Sequence, residues 1–271
     1  PDDPYLKRLI IRTIESLSGQ PELYKLYNEY QRSPELYRNF WEGSVKKLNL
    51  NVNYSVDALK QIPKEGPLVV VANHPFGVLD GLVICWLMSL VRDDFKVLTH
   101  SLLLRAPETK GYLLPVDFAL TKEAVKTNLE TRKLSREFLS SGGSIVIFPS
   151  GCVSTKMKMR EKIAFDCEWK VFTSRLIKQT DATIVPIYFQ GQNSELFHLA
   201  SRFGLMLRSA LLFREVRKRM GTDVPVTIGN PLKLHDFEEN ISNQDLVKSL
   251  RTLTYSLDPN LPPDPPLGME L

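Results

Sequence analysis

A histidine and an aspartate, His74 and Asp80, stand in the stretch VVVANHPFGVLDG at 69–81, and their side chains are of the types that move protons. A carboxylate that accepts from one imidazole nitrogen fixes the tautomer and leaves the other nitrogen free to take a proton from a hydroxyl. The apolar run 68–71 reads as a buried strand that breaks off into Asn73, His74, Pro75, Phe76 and Gly77. Strand ends of this kind are where α/β sheets carry their chemistry. Pro75 removes a backbone donor and Gly77 tolerates positive φ, so the chain is expected to turn back and bring Asp80 to His74. Two plainer readings stand beside this one: Asp80 as the N-cap of an apolar helix over 81–91, and His74 as a satisfied loop histidine.

A second loop has the same character, since GGSIVIFPSGCVST at 142–155 is again an apolar, β-branched strand running into a Pro/Gly turn. Together the two loops resemble the glycerolipid and lysophospholipid acyltransferase family, which joins a fatty acyl thioester to a hydroxyl. The resemblance runs from about 51 to 234. That family carries a His-x4-Asp motif and, downstream, Phe-Pro-Glu-Gly-Thr-Arg-Ser. Here five residues separate His74 from Asp80, in an HPFG-x-x-DG form similar to the hemolysin-related or lyso-ornithine-lipid branch. Phe148, Pro149, Gly151 and Ser154 match the second motif, while Ser150, Cys152 and Val153 stand where it has Glu, Thr and Arg. The block 102–105, ending in Arg105, and the block 184–187 are similar to two weaker family motifs.

The resemblance implies an O-acyltransferase with His74 as general base and Asp80 as the residue that orients it. It implies an acyl thioester donor, acyl-CoA or acyl carrier protein, used as a substrate with no cofactor, and a lyso-lipid acceptor. Backbone amides of Ser150, Gly151 and Cys152 would face the oxyanion. Arg105, Lys156 and Arg160 would hold phosphate or carboxylate groups, and Phe76, Gly77, Phe148 and Pro149 would complete the substrate site. In the family the Glu and Arg of the downstream motif are associated with a glycerol phosphate head. Their replacement by Ser150 and Val153 points to a lyso-aminolipid of the ornithine- or glycine-lipid kind, ahead of a lysophospholipid with a larger head group and of plain lysophosphatidate. Two rivals remain: a hydrolase with Cys152 or Ser150 as nucleophile, whose Gly-Cys-Val lacks nucleophile-elbow spacing, and a non-catalytic lipid-binding protein.

The elements around these loops alternate in type. Strands are expected at 51–62, which ends in a short turn at Pro63, and at 95–99, 112–116, 144–148, 183–189 and 224–228. Helices are expected at 123–140, closed by Gly142-Gly143, at 172–179, across 194–219 and at 243–257. Pro186 suggests the end of its strand or a bulge. The order strand, helix, strand predicts parallel pairing. The expected fold class is α/β: a single domain with a mostly parallel central sheet flanked by helices, preceded by an N-terminal helical segment. The boundaries are 1–50 for that segment, with an amphipathic helix over 4–17 and one or two more over 24–41, 51–257 for the acyltransferase domain, and 258–271 for a tail too Pro-rich to fold.

With 271 residues and 43% hydrophobic content, the chain can bury a full core. A net charge of +4 suits a negative surface, but no basic run alternates with exposed aromatics and no helix-turn-helix or zinc spacing occurs, which disfavours nucleic acid. Cys85, Cys152 and Cys167 lack CxxC spacing, which argues against a disulfide scaffold or Cys-rich metal site and for a reducing compartment. The longest apolar run, 82–91, is too short to cross a bilayer, so the expected location is peripheral, on the cytoplasmic face of a membrane. Helix 4–17 and the cations Arg202, Arg208, Arg214, Arg217, Lys218 and Arg219 are the candidate membrane-facing surface, with a helix packed on the sheet as the alternative. Lys156, Lys158 and Arg160 alternate with Met157 and Met159, a pattern that fits a solvated edge or an anion site.

Overall fold

The computed structural model describes residues 19–100, 106–117 and 121–270. The helix expected over 4–17, the block 102–105 and with it Arg105 lie outside the described residues. The strands are β1 (Asn51–Asn53), β2 (Leu68–Ala72), β3 (Phe95–His100), β4 (Leu113–Val116), β5 (Ser144–Ile147), β6 (Thr183–Phe189) and β7 (Asp223–Ile228). They form one sheet in the order β1-β7-β6-β2-β5-β3-β4. Every pairing is parallel except β6 with β7.

The helices, among the described residues, are α1 (Gln20–Arg32), α2 (Phe40–Lys47), α3 (Val56–Lys60), α4 (Val78–Ser89), α5 (Lys122–Ser140), α6 (Phe172–Thr180), α7 (Glu195–Ser201), α8 (Leu205–Arg219) and α9 (Asn243–Tyr255). They cover the sheet on both faces, and the strands show it by their period of two. Leu68, Val70 and Ala72 of β2 join a core with Trp41 of α2, Leu79 and Val83 of α4 and Val216 of α8. Val69 and Val71 join the opposite core, with Leu139 of α5, Leu176 of α6 and Leu250 of α9. All five β2 side chains are fully buried, each of the larger ones contributing about 1.5–3 kcal/mol. The sheet centre is therefore a rigid platform for the loops that leave it.

Two of those loops leave side by side. Val71 lies opposite Ile147 in the β2–β5 register, so the strands end level and Asn73–His74 emerges beside Phe148–Pro149. The alternation of strand and helix is thus what brings the two motifs together.

Several local expectations are corrected. Residues 51–62 hold only a three-residue strand before α3, because Ser55 accepts from the Ala58 amide and starts a helix there. The 194–219 stretch is two helices broken at Gly204, whose φ of 125° a side chain would resist. Pro186 lies inside β6, where the β7 ladder, beginning at Ile187, gives way to a separate bridge from Ile184 to Leu232. Among the described residues the Pro-rich tail carries no helix or strand, yet it is packed. Arg251 donates to the carbonyls of Pro265 and Pro266, the Gly268 amide donates to the Asp166 carbonyl, and a Cβ on Gly268 would lie 1.9 Å from the Phe165 oxygen. Proline rigidity lowers the entropy lost on docking such a strap.

Candidate active site

The HPFG turn is fixed at both ends. Asn73 is buried and clamps the end of β2 to the end of β6, donating to the Phe189 carbonyl at 2.9 Å and accepting from the Phe189 amide at 2.7 Å. The His74 amide donates to Asp166 Oδ1 at 3.1 Å, and the His74 carbonyl accepts from the Ser154 amide at 2.8 Å. Gly77 then takes φ 82°, and a Cβ there would meet Leu212 at 2.8 Å and Val153 at 3.0 Å. The positive φ favours glycine, and any side chain would also have to displace the Leu212 and Val153 methyls.

Asp80 meets His74 and also closes the start of α4, though not as its cap. It is not the N-cap of α4 but its third residue, and its Oδ2 accepts from the amides of Phe76 and Gly77, each at 2.9 Å. The same oxygen lies 3.0 Å from His74 Nδ1. Nδ1 is buried and has no other polar atom paired with it among the described residues, so the carboxylate is the group that meets this side of the ring. Burial pushes the Asp80 carboxyl up, while His74 and the two amides pull it down. The helix N-terminus also favours its negative charge. With Nδ1 held by the carboxylate, the proton-accepting position of the ring is Nε2. The ring stacks on Phe148, centroids 4.1 Å apart, and its side chain keeps 17% of its surface exposed. A base held on one side and open on the other is the arrangement that takes a proton from a bound hydroxyl.

The second loop supports this pair. The Gly151 amide is spent on the Phe148 carbonyl, whereas the Cys152 amide has only a 3.5 Å contact with Ser150 Oγ, which leaves donor capacity for an oxyanion. Ser150 is buried and donates to the Cys152 carbonyl. Val153, where the resembled motif has Arg, is buried against Gly77. Cys152 and Cys167 are free thiols with sulfurs 2.8 Å apart. The Cys167 thiol beside it draws Cys152 below its ordinary pKa, and Cys167 is pushed up in return.

The cations are arranged differently from expectation. Lys156 is buried and paired with Glu195, while Arg160 is exposed. Arg208, expected on an outer basic face, is buried and donates to the Val153 carbonyl. Arg219 stacks on Phe76 at 4.2 Å, and Arg217 pairs with Glu22 of α1. α8 therefore packs onto the site, because its stripe of Arg208, Leu212, Glu215, Val216 and Arg219 repeats at helical spacing toward the loops.

Sequence reasoning missed Asp166. It is fully buried and joins both loops: Oδ1 accepts from the His74 amide and from Ser154 Oγ at 2.5 Å, and Oδ2 accepts from Trp169 Nε1 at 2.9 Å. No spacing in 156–171 marks it, since the two loops it joins reach it across the fold and only Trp169 is a near neighbour in sequence. Asp166→Ala leaves three buried donors unpaired; we expect it to lower stability by about 3 kcal/mol or more and kcat about 100-fold, through misplacement of His74. Chemical denaturation and steady-state kinetics measure both, and unchanged stability would contradict this role.

A His/carboxylate pair beside a Phe-Pro-x-Gly loop thus stands where two parallel strands of an α/β sheet end. The match to the family model described as Acyltransferase covers residues 27–263, and the chain belongs to that family. It is similar to the lyso-glycine lipid O-acyltransferase of Phocaeicola vulgatus, 23% identical over 264 residues, with 93% of this chain and 89% of that one aligned. The lyso-glycine lipid O-acyltransferase of Bacteroides thetaiotaomicron is also 23% identical, over 261 residues, with 93% and 91% aligned. In fold it is similar to the crystal structure of the 1-acyl-sn-glycerophosphate acyltransferase PlsC of Thermotoga maritima, with a TM-score of 0.53, 15% identity and coverage of 92% of this chain and 95% of that one.

Proposed function

We propose that this acyltransferase moves a fatty acyl group from a thioester of coenzyme A or acyl carrier protein to the hydroxyl of a lyso-lipid. The observation that carries the reading is the 3.0 Å contact of His74 Nδ1 with the buried Asp80 carboxylate. His74 Nε2 takes the hydroxyl proton as the oxygen attacks the thioester carbonyl. The tetrahedral oxyanion accepts from the Cys152 amide, and its collapse expels the thiolate, which takes the proton back from the imidazolium. An ester and a free thiol result.

The proposed acceptor is a lyso-aminolipid of the glycine-lipid kind, the class named in the two relatives. The absence of Arg at Val153 supports it over lysophosphatidate, whose dianionic phosphate asks for a bidentate cation. Competition between these acceptors for one labelled donor tests it: lysophosphatidate turning over faster by a wide margin in kcat/KM would sink the choice.

A second reading, Cys152 as an acyl-forming nucleophile, has its lowered thiol in its favour. On the general-base reading Cys152→Ser keeps most of the activity. Complete loss, with an acyl adduct trapped on the wild type by mass spectrometry, would move the assignment to the nucleophile.

The reading also makes the chain a peripheral protein of the cytoplasmic membrane face, and its three free thiols fit a reducing compartment. Exposed Leu196 and Leu199 of α7, Phe203 after it, and Met157, Met159 and Ile163 of the neighbouring loop support contact with a lipid surface. Arg202 joins the two segments by donating to the Met157 carbonyl, and Lys158, Arg160 and Lys162 add positive charge. Of the basic face expected from sequence, Arg202 belongs to this surface, Arg217 and Lys218 are exposed, and Arg208 and Arg219 are packed inward. Vesicles rich in phosphatidylglycerol should bind the protein less as salt rises, and the pair Leu199→Glu with Phe203→Glu should weaken binding about tenfold or more. Binding indifferent to salt, lipid charge and the double substitution would refute it.

A further inference from the structure

Arg208 of α8 is a charged side chain only 4% exposed. One guanidinium nitrogen, Nη2, donates to the Val153 carbonyl, and the group lies 5.4 Å from the centre of the Phe197 ring. The other, Nη1, is buried and has no hydrogen-bond partner among the described residues, nor does any carboxylate among them form an ion pair with Arg208. Burial pushes the guanidinium below its ordinary pKa. The Cys152 thiol and the more distant Asp166 offset part of that effect, but a buried cation with no carboxylate bonded to it is costly, and such groups cluster where ligands bind.

The position of Arg208 says what that ligand is near. It is bonded to residue 153, Val153 packs on Gly77 of the HPFG turn, and Ser154, next in sequence, is hydrogen-bonded to His74. The charges of both Arg208 and His74 act on the Cys152 thiol. An anion on Nη1 therefore lies at the edge of the catalytic site. One guanidinium edge is already spent on a carbonyl, so what remains suits a monoanion held by a few charge-assisted hydrogen bonds more than a phosphate dianion.

Resting on the lyso-lipid reading above, we propose that Arg208 is the binding residue for the head-group carboxylate of the acceptor, holding the lipid so that its hydroxyl reaches His74. The site then selects N-acyl amino acids with a free carboxylate over neutral lipids of the same shape.

The test compares an N-(3-hydroxyacyl)glycine with its methyl ester, which removes the charge and little else. For the wild type, kcat/KM should favour the acid about 10- to 100-fold, mostly through KM, the range of charge-assisted hydrogen bonds. Arg208→Gln should reduce that preference to within about threefold, and Arg208→Lys should keep part of it. Equal use of acid and ester by the wild type would overturn the proposal, and that arm needs no variant to fold. Equal losses on both acceptors in Arg208→Gln would make the residue structural, and a rise only in the donor KM would give the anion to the donor; either outcome overturns it. Should neither acceptor be acylated, the transfer reading itself fails. Calorimetric binding of N-palmitoylglycine against its methyl ester then decides this site separately: preference for the acid, lost in Arg208→Gln, supports it, and no preference overturns it.

Discussion

His74→Ala should lower kcat/KM by about a thousandfold or more, within the range expected when a general base is removed, while the protein stays folded. The ring is a modest structural element: it stacks on Phe148, and its loss leaves Asp80 Oδ2 with both of its amide donors. The expected stability cost is therefore about 1–2 kcal/mol, visible as a small shift in Tm. Added imidazole should restore part of the activity, because the Asp80 carboxylate and the space vacated by the ring beside Phe148 remain. Retention of more than a few per cent of wild-type activity would remove His74 from the base role.

Substitutions of Asp80 separate catalysis from folding. Asp80→Asn keeps a carbonyl oxygen able to accept from Phe76 and Gly77, but it carries no charge to stabilise an imidazolium and permits the wrong tautomer. Activity should fall by about three orders of magnitude or more with only a moderate loss of stability. Asp80→Ala removes the acceptor altogether, inside a fully buried site at the start of α4, and should cost about 3–5 kcal/mol as well as activity. Kinetics paired with urea unfolding measure the split, and an Asp80→Asn enzyme with a tenth of wild-type activity would leave Asp80 as a helix-start residue alone.

The parts legible in the sequence were those whose determinants are local. The apolar run of β2 ending at Asn73, the Pro75–Gly77 turn and the short separation of His74 from Asp80 all lie within one stretch, and the structure joins them as that stretch implies. Asp166 was not legible because two of its partners, His74 and Ser154 of the two loops, reach it through the tertiary fold, and the local bond from Trp169 leaves no mark in the spacing. Arg208 was misassigned for a different reason. Helical period identifies stripes but not which stripe faces in, and the inward one here includes Arg208, Glu215 and Arg219, whose charges are met by a carbonyl, by Ser194 and by the Phe76 ring with the Gln192 carbonyl. The tail misled by composition, since Pro265, Pro266 and Gly268 find their partners in Arg251 and Asp166.

Thiol release from an acyl thioester, followed with and without an N-(3-hydroxyacyl)glycine acceptor, tests the transfer reaction most directly. Release should require the acceptor, yield one O-acylated product per thiol, and vanish in His74→Ala. Equal release without acceptor, yielding free fatty acid, would make the protein a hydrolase and contradict a base that activates the lipid hydroxyl.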